Sequence, residues 1–87
     1  MKPELIRADG TRKAIEATHD TWAIALMIGA DSLDQVNLRN GFIMFVDDLG
    51  HDKGLPVNVE GTRLYHSVCR AGTTHQIVGD VVVVPGW

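Results

Sequence analysis

The apolar positions of this chain change period several times, and each change marks an element. Glu4-Leu5-Ile6-Arg7-Ala8 reads as a short strand, Asp9-Gly10 as a two-residue hairpin turn and Arg12–Ala17 as the return strand, a stretch whose composition suits a helix equally well. Thr18-His19-Asp20 offers N-caps to Thr21-Trp22-Ala23-Ile24-Ala25-Leu26-Met27-Ile28. Asp20 is placed to accept from an orphan backbone N–H, and Gly29 to close the C-terminus. This segment is apolar nearly all round, the pattern of a buried helix.

Gln35-Val36-Asn37-Leu38-Arg39 alternates with the period of a half-buried strand, and Asn40-Gly41 tolerates the positive φ of a type I′ turn. A two-residue turn pairs Leu38 with Ile43 and Val36 with Phe45, and puts these four on one face. Phe42, Met44 and Val46 then fall on the opposite face, so the strand from Phe42 to Asp47 is apolar on both sides.

A polar, glycine-punctuated loop follows: Gly50-His51-Asp52-Lys53-Gly54-Leu55-Pro56-Val57-Asn58. Pro56 holds Leu55 extended, and Asn58 caps a helix running from about Val59 to Arg70, with Leu64, Tyr65 and Val68 as its apolar stripe and Gly72 as its C′ residue. The last strand, Gln76 to Val84, is stopped by Pro85 and is too apolar for a sheet edge. The order is β-β-α-β-β-α-β, a single α+β domain over 1–87 with a small mixed or antiparallel sheet and two helices on one face. The other face is then bare at Phe42, Met44, Val46, Val82 and Val84, with Trp87 as an added anchor, and a second copy of the chain is expected to cover it.

Composition narrows the classes. A chain of 87 residues, 45% hydrophobic and 22% charged, is an ordinary globular domain near the lower size limit, where a homodimer or higher oligomer adds stability. The net charge of −3 argues against a general nucleic-acid binder, although Arg7, Arg12, Lys13 and Arg39 could share a sheet surface. One cysteine, Cys69, forbids an intrachain disulfide, and no stretch is long enough to span a bilayer, so a cytoplasmic protein is expected.

The spaced residues Asp48, Gly50, Lys53-Gly54-Leu55-Pro56, Asn58, Thr62, Leu64 and Gly79-Asp80-Val81-Val82-Val83-Val84 form a pattern. It resembles that of a family of short uncharacterised proteins, a domain of unknown function encoded mostly by phages, plasmids and their bacterial hosts. The likeness covers roughly the last half of the chain. It implies a mobile-element origin and brings no activity with it.

Candidate chemistry is sparse. Lys53, Gly54, Leu55, Pro56 and Asn58 could form a small anion or nucleotide site at the helix N-terminus, or serve only as turn, packing and cap. Gly79-Asp80 invites a clamp in which Asp80 fastens the Leu55–Asn58 loop through Lys53, Arg63 or backbone amides, or a ligand contact beside that loop. Asp47, Asp48, His51, Asp52, His66 and His75 show none of the usual zinc spacings, so no metal or other cofactor is expected. Asp47 and Asp48 are adjacent on a strand and point to opposite faces. Cys69 and His66 lie three apart without a third residue to orient the base. The expected function is non-catalytic: a binding or interaction protein that modulates a host process. The alternatives are an oligomeric protein sequestering a nucleotide-like small molecule, and a Cys/His hydrolase.

Overall fold

The computed structural model describes residues 2–86, and Trp87 lies outside the described residues. Strands β1 (Glu4–Ile6), β2 (Arg12–Ala14), β3 (Leu33–Asn37), β4 (Phe42–Asp47) and β5 (Val81–Pro85) form one sheet, with helices α1 (Thr21–Ile28) and α2 (Val59–His66) between them in the expected order. The sheet runs β2-β1-β5-β4-β3 and every pairing is antiparallel. The valine run is therefore the central strand, as its two-sided apolar character requires.

Both hairpins have one more loop residue than the sequence suggests. In the first, Ile6 pairs with Arg12, and the Arg7 N–H donates to Thr11 O across Ala8-Asp9-Gly10. In the second, Leu38 N–H donates to Phe42 O across Arg39-Asn40-Gly41, with Asn40 at φ 65° and Gly41 at φ 76°. Three-residue loops ending on a left-handed residue are the next most common hairpin class. The consequence is a register shifted by one residue: Val36 pairs with Met44, not Phe45. Such a shift moves a strand's side chains to the opposite face. Val36 and Leu38 consequently pack with Met44, Phe42 and Val46, while Leu33 packs with Ile43 and Phe45.

The helices cover opposite faces, not one. Ile24 and Ile28 of α1 pack on Leu5, Ile43, Phe45, Val82 and Val84, whereas Leu64 of α2 packs on Ile6, Met44, Val81 and Val83. The cause is the two-sided apolar centre of the sheet: one layer of helices would leave half of it in water. Each face instead receives one short helix. The five strand residues expected at a subunit interface are thus core. Met44, Val82 and Val84 are fully buried and Phe42 and Val46 half-buried, and Val82 and Val84 do not even share a face with Met44.

Asp20 caps α1 by accepting from Trp22 N–H and Ala23 N–H, and Gly29 closes it at φ 68°. The helix is not buried all round: Trp22 is 77% exposed and Leu26 71%. Helix α2 ends at His66, short of Arg70: Ser67 keeps helical angles as the C-cap, but after it the backbone bonds tighten to the three-residue turns Val68 N–H to Tyr65 O and Cys69 N–H to His66 O. Strand β5 begins at Val81, not Gln76, because Gly79 at φ 77° breaks the extended run. Before that break, Val78 forms an isolated antiparallel bridge with Val57.

Candidate functional site

The loop 50–58 is held by backbone and side-chain bonds that account for each of its singular residues. Asn58 is 1% exposed: its Nδ2 donates to Ile6 O at 3.0 Å and Gly79 O at 2.9 Å, and its Oδ1 accepts from Gly61 N–H at 2.8 Å. It caps α2 and ties that helix to β1 and to the approach to β5 in one step. Gly79 N–H donates to Pro56 O, and a Cβ on Gly79 would lie 2.7 Å from Leu55 Cδ1. The close approach of Leu55 to Gly79 is therefore the clamp.

Asp80 is not that clamp. Its Oδ1 accepts from Ala8 N–H at 2.9 Å, fastening the first hairpin. Lys53 does not reach the N-terminus of α2 either. Its Nζ donates to Asp47 Oδ2 at 2.8 Å and to Gly29 O at 3.2 Å, with Asp31 at 3.6 Å. It sits at the C-terminus of α1, the helix end that favours a cation. The Lys53 ammonium is held above its ordinary range mainly by the bond to Asp47, whose side chain is 1% exposed. The first turn of α2 carries its own anion, Glu60, paired with Arg63 and with Arg12. Those two guanidinium groups, Arg63 first, hold the Glu60 carboxyl below the usual range. The expected anion site is thus filled by the fold's own groups.

The other expected chemistry is dispersed in the same way. His66 Nε2 lies 2.7 Å from His75 O, so that nitrogen is engaged away from Cys69. The neighbour that matters to Cys69 is Tyr65, whose phenol is pushed above its ordinary range by Cys69 first, then by partial burial and the charge of Asp34. Among the basic residues, Arg12 is bound to Glu4 and Glu60, and Arg39 Nε donates to Ser67 O. Among the described residues no three His, Cys, Asp or Glu side chains converge as metal ligands, and no buried side-chain nitrogen or oxygen lacks a partner.

Two surfaces remain that the fold does not use up. The first is a cleft of about 130 Å³ where β3, β4, α2 and the segment 75–78 meet. Its rings are His51, His75 and Tyr65: the His51 and His75 centroids are 4.8 Å apart, and Tyr65 meets His75 edge-on at 6.0 Å. Two exposed carboxylates, Asp34 and Asp48, also line it. The sequence offers His51 and His75 as metal candidates, Asp48 as another and as the neighbour of Asp47, and Tyr65 as core stripe, with nothing that joins them in one site. Their convergence depends on the β3 register, which turns Asp34 toward the α2 face beside Val46.

The second surface is the outer side of α1. Trp22 and Leu26 stand one helical turn apart, both largely exposed. Between Trp22, Ala25 and Leu33 runs a shallow groove of about 360 Å³. Residues Thr21–Ile28 include no charged side chain. The all-apolar pattern of residues 21–28 predicts an enclosed helix, because short helices of that kind are usually buried, whereas here one side stands in water.

Together the fold and these surfaces define a small α+β domain with a closed core, one ring-lined cleft and one uncovered apolar helix face. Among known proteins, no family model, no curated sequence and no solved structure matches the chain. No described helix is long and apolar enough to cross a membrane.

Proposed function

We propose that this is a non-catalytic interaction protein that pairs with a second copy of itself through the outer face of α1. The observation that carries the reading is the exposure of Trp22 at 77% and Leu26 at 71% on one side of a helix whose other side already seals the core. The fold does not need these two side chains outside, since Ile24 and Ile28 make the contact with the sheet. Tryptophan is enriched among the residues that carry interface energy, and the leucine one turn away extends its apolar surface. Residues 21–28 of α1 carry no charge, so the helix face itself adds no like-charge repulsion to a two-fold contact, and the exposed carboxylates Asp20 and Asp31 lie at its margins. The exposed area is small compared with a standard interface, so the association is weak and concentration-dependent. The likeness of residues 48–84 to small mobile-element proteins supports a setting in which such a dimer modulates a host process.

Sedimentation velocity over a range of protein concentrations tests this. The wild-type chain is expected to shift from monomer toward dimer as concentration rises, and Trp22→Ser and Leu26→Ser to remain monomeric with native spectra. A wild-type protein as monomeric as the Trp22→Ser variant throughout sinks the reading.

The sequestering alternative is weakened by size and charge. The ring-lined cleft, at about 130 Å³, is well short of the roughly 300–1,000 Å³ of sites that enclose drug-sized ligands, and the groove of about 360 Å³ beside α1 is shallow and carries the exposed Asp31 carboxylate, which disfavours an anionic nucleotide.

A further inference from the structure

We propose that the cleft between α2 and the β3–β4 hairpin is a recognition site for an alkylguanidinium group, of the kind an arginine side chain carries. It stands apart from the α1 surface and does not depend on it.

Size sets the first limit. About 130 Å³ accommodates a side-chain-sized group but not a whole nucleotide. Charge sets the second. Asp34 and Asp48 are exposed on the lining, and no lysine or arginine lines the cleft among the described residues. The third acid there, Asp47, is already neutralised by Lys53 at 2.8 Å. The two open carboxylates each hold one internal bond, Asp34 Oδ1 from Gln35 N–H at 2.8 Å and Asp48 Oδ2 from Ser32 Oγ at 3.4 Å. Carboxylate oxygens accept more than one bond, so both retain acceptor capacity for a donor arriving from outside. An anionic ligand would meet two like charges here, and a cation meets none of its own sign from lysine or arginine.

Shape distinguishes among cations. The Tyr65, His75 and His51 rings line the cleft, His51 and His75 tilted 42° to each other and Tyr65 edge-on to His75. A planar guanidinium stacks on an aromatic face such as that of Tyr65 while its fork of N–H donors reaches a carboxylate, a combination that a compact ammonium makes less well. Asp34 and Val36 belong to β3, the edge strand of the sheet. An extended peptide added to that edge would send alternate side chains to the α2 side, alongside Asp34 and Val36. The guanidinium therefore has two possible sources, a free small molecule and an arginine in a peptide.

Titration of the isotope-labelled full chain by NMR tests the site, with methylguanidinium chloride, methylammonium chloride and a blocked Gly-Arg-Gly peptide as probes at constant ionic strength. The expected result is saturable shifts of the Tyr65, His51 and His75 signals with both guanidinium probes. Methylammonium should bind several-fold more weakly. Asp34→Asn and Asp48→Asn should each weaken binding about tenfold. Both positions are exposed, so these variants keep the native spectrum. Tyr65→Phe should retain affinity that Tyr65→Ala loses. Tighter binding of the peptide assigns the group to an arginine side chain, and equal binding assigns it to a free guanidinium compound. Absence of saturation at millimolar probe overturns the proposal, and so does a folded Asp34→Asn/Asp48→Asn double variant that binds as the wild type does. Methylammonium binding as tightly as methylguanidinium overturns it too. Trp22→Ser leaves the titration unchanged, which separates failure here from failure of the α1 contact.

Discussion

Asn58 serves three backbone groups from a site that is 1% exposed, and two of them are carbonyls remote in sequence, at Ile6 and Gly79. Truncation to alanine removes the helix cap and strands two buried acceptors. Asn58→Ala is expected to cost about 3 kcal/mol in urea denaturation. Asn58→Asp should cost at least as much, because a carboxylate retains the cap but turns an acceptor toward two carbonyl oxygens. At Gly79, φ is 77° and the place of a Cβ lies 2.7 Å from Leu55 Cδ1. Gly79→Ala is expected to destabilise by about 2 kcal/mol or more, part from the backbone and part from the clash. In a Leu55→Ala background the clash part disappears and the backbone part persists. A double-mutant cycle should therefore give a favourable coupling smaller than the whole effect. Lys53→Met leaves the Asp47 carboxylate buried with, among the described residues, the Leu49 N–H as its remaining partner. A urea midpoint clearly below that of the wild type is expected. A residue whose only task was to bind an external anion would leave stability untouched, so the same denaturation curve distinguishes the two roles.

At the scale of elements, α2 is a short helix, and its first turn is linked by ion pairs to β2 and to its own Arg63. Glu60 holds its proton less tightly in the folded chain than in the unfolded one, because Arg63 and then Arg12 favour the carboxylate. In the acid range the unfolded state consequently binds more protons, and stability rises with pH. The contribution is complete above the ordinary carboxyl value of 4.5 and is lost as pH falls through the lower folded value. Urea midpoints measured from pH 6 downward should fall less steeply for Glu60→Gln than for wild type, and the two curves should converge at the acid end. Equal slopes would remove Glu60 from the acid response. The hairpins show the limit of reading elements locally. Asn40-Gly41 was a correct turn signal, but Arg39 joins the loop, and one extra residue reversed which side chains of β3 face each helix.

For the whole molecule, the decisive fact is that a sheet apolar on both faces is closed by one helix on each. Its central strand, with Val81 to Val84 all buried, has no face left for a partner. Any association would have to use what the helices leave outside, chiefly Trp22 and Leu26 of α1, beside the less exposed Met27 and the exposed Val59 at the start of α2. Because the first two are mostly in water already, Trp22→Ser and Leu26→Ser are expected to change monomer stability by no more than about 0.5 kcal/mol, measured at concentrations below dimer formation. A larger loss would mean that these side chains hold the fold and not a partner.

Much of this architecture was legible in the residues. The element order, the Asp20 and Asn58 caps, the Gly29 closure and the central position of the valine strand follow from short-range spacing and from side-chain chemistry that acts within a few residues. The sequence by itself therefore determined which segments are helix or strand and which strand lies innermost. Only the tertiary structure decided what those segments face. A strand's parity turns on a single loop residue. Lys53 could serve either helix end until the chain brought it to Gly29. Asp80 is joined to Ala8, 72 residues away. The ring-lined cleft likewise joins His51, Tyr65 and His75 from three separate segments. Such pairings have no local signature, because they are fixed by the packing of two helices on two faces and not by the spacing of neighbours along the chain.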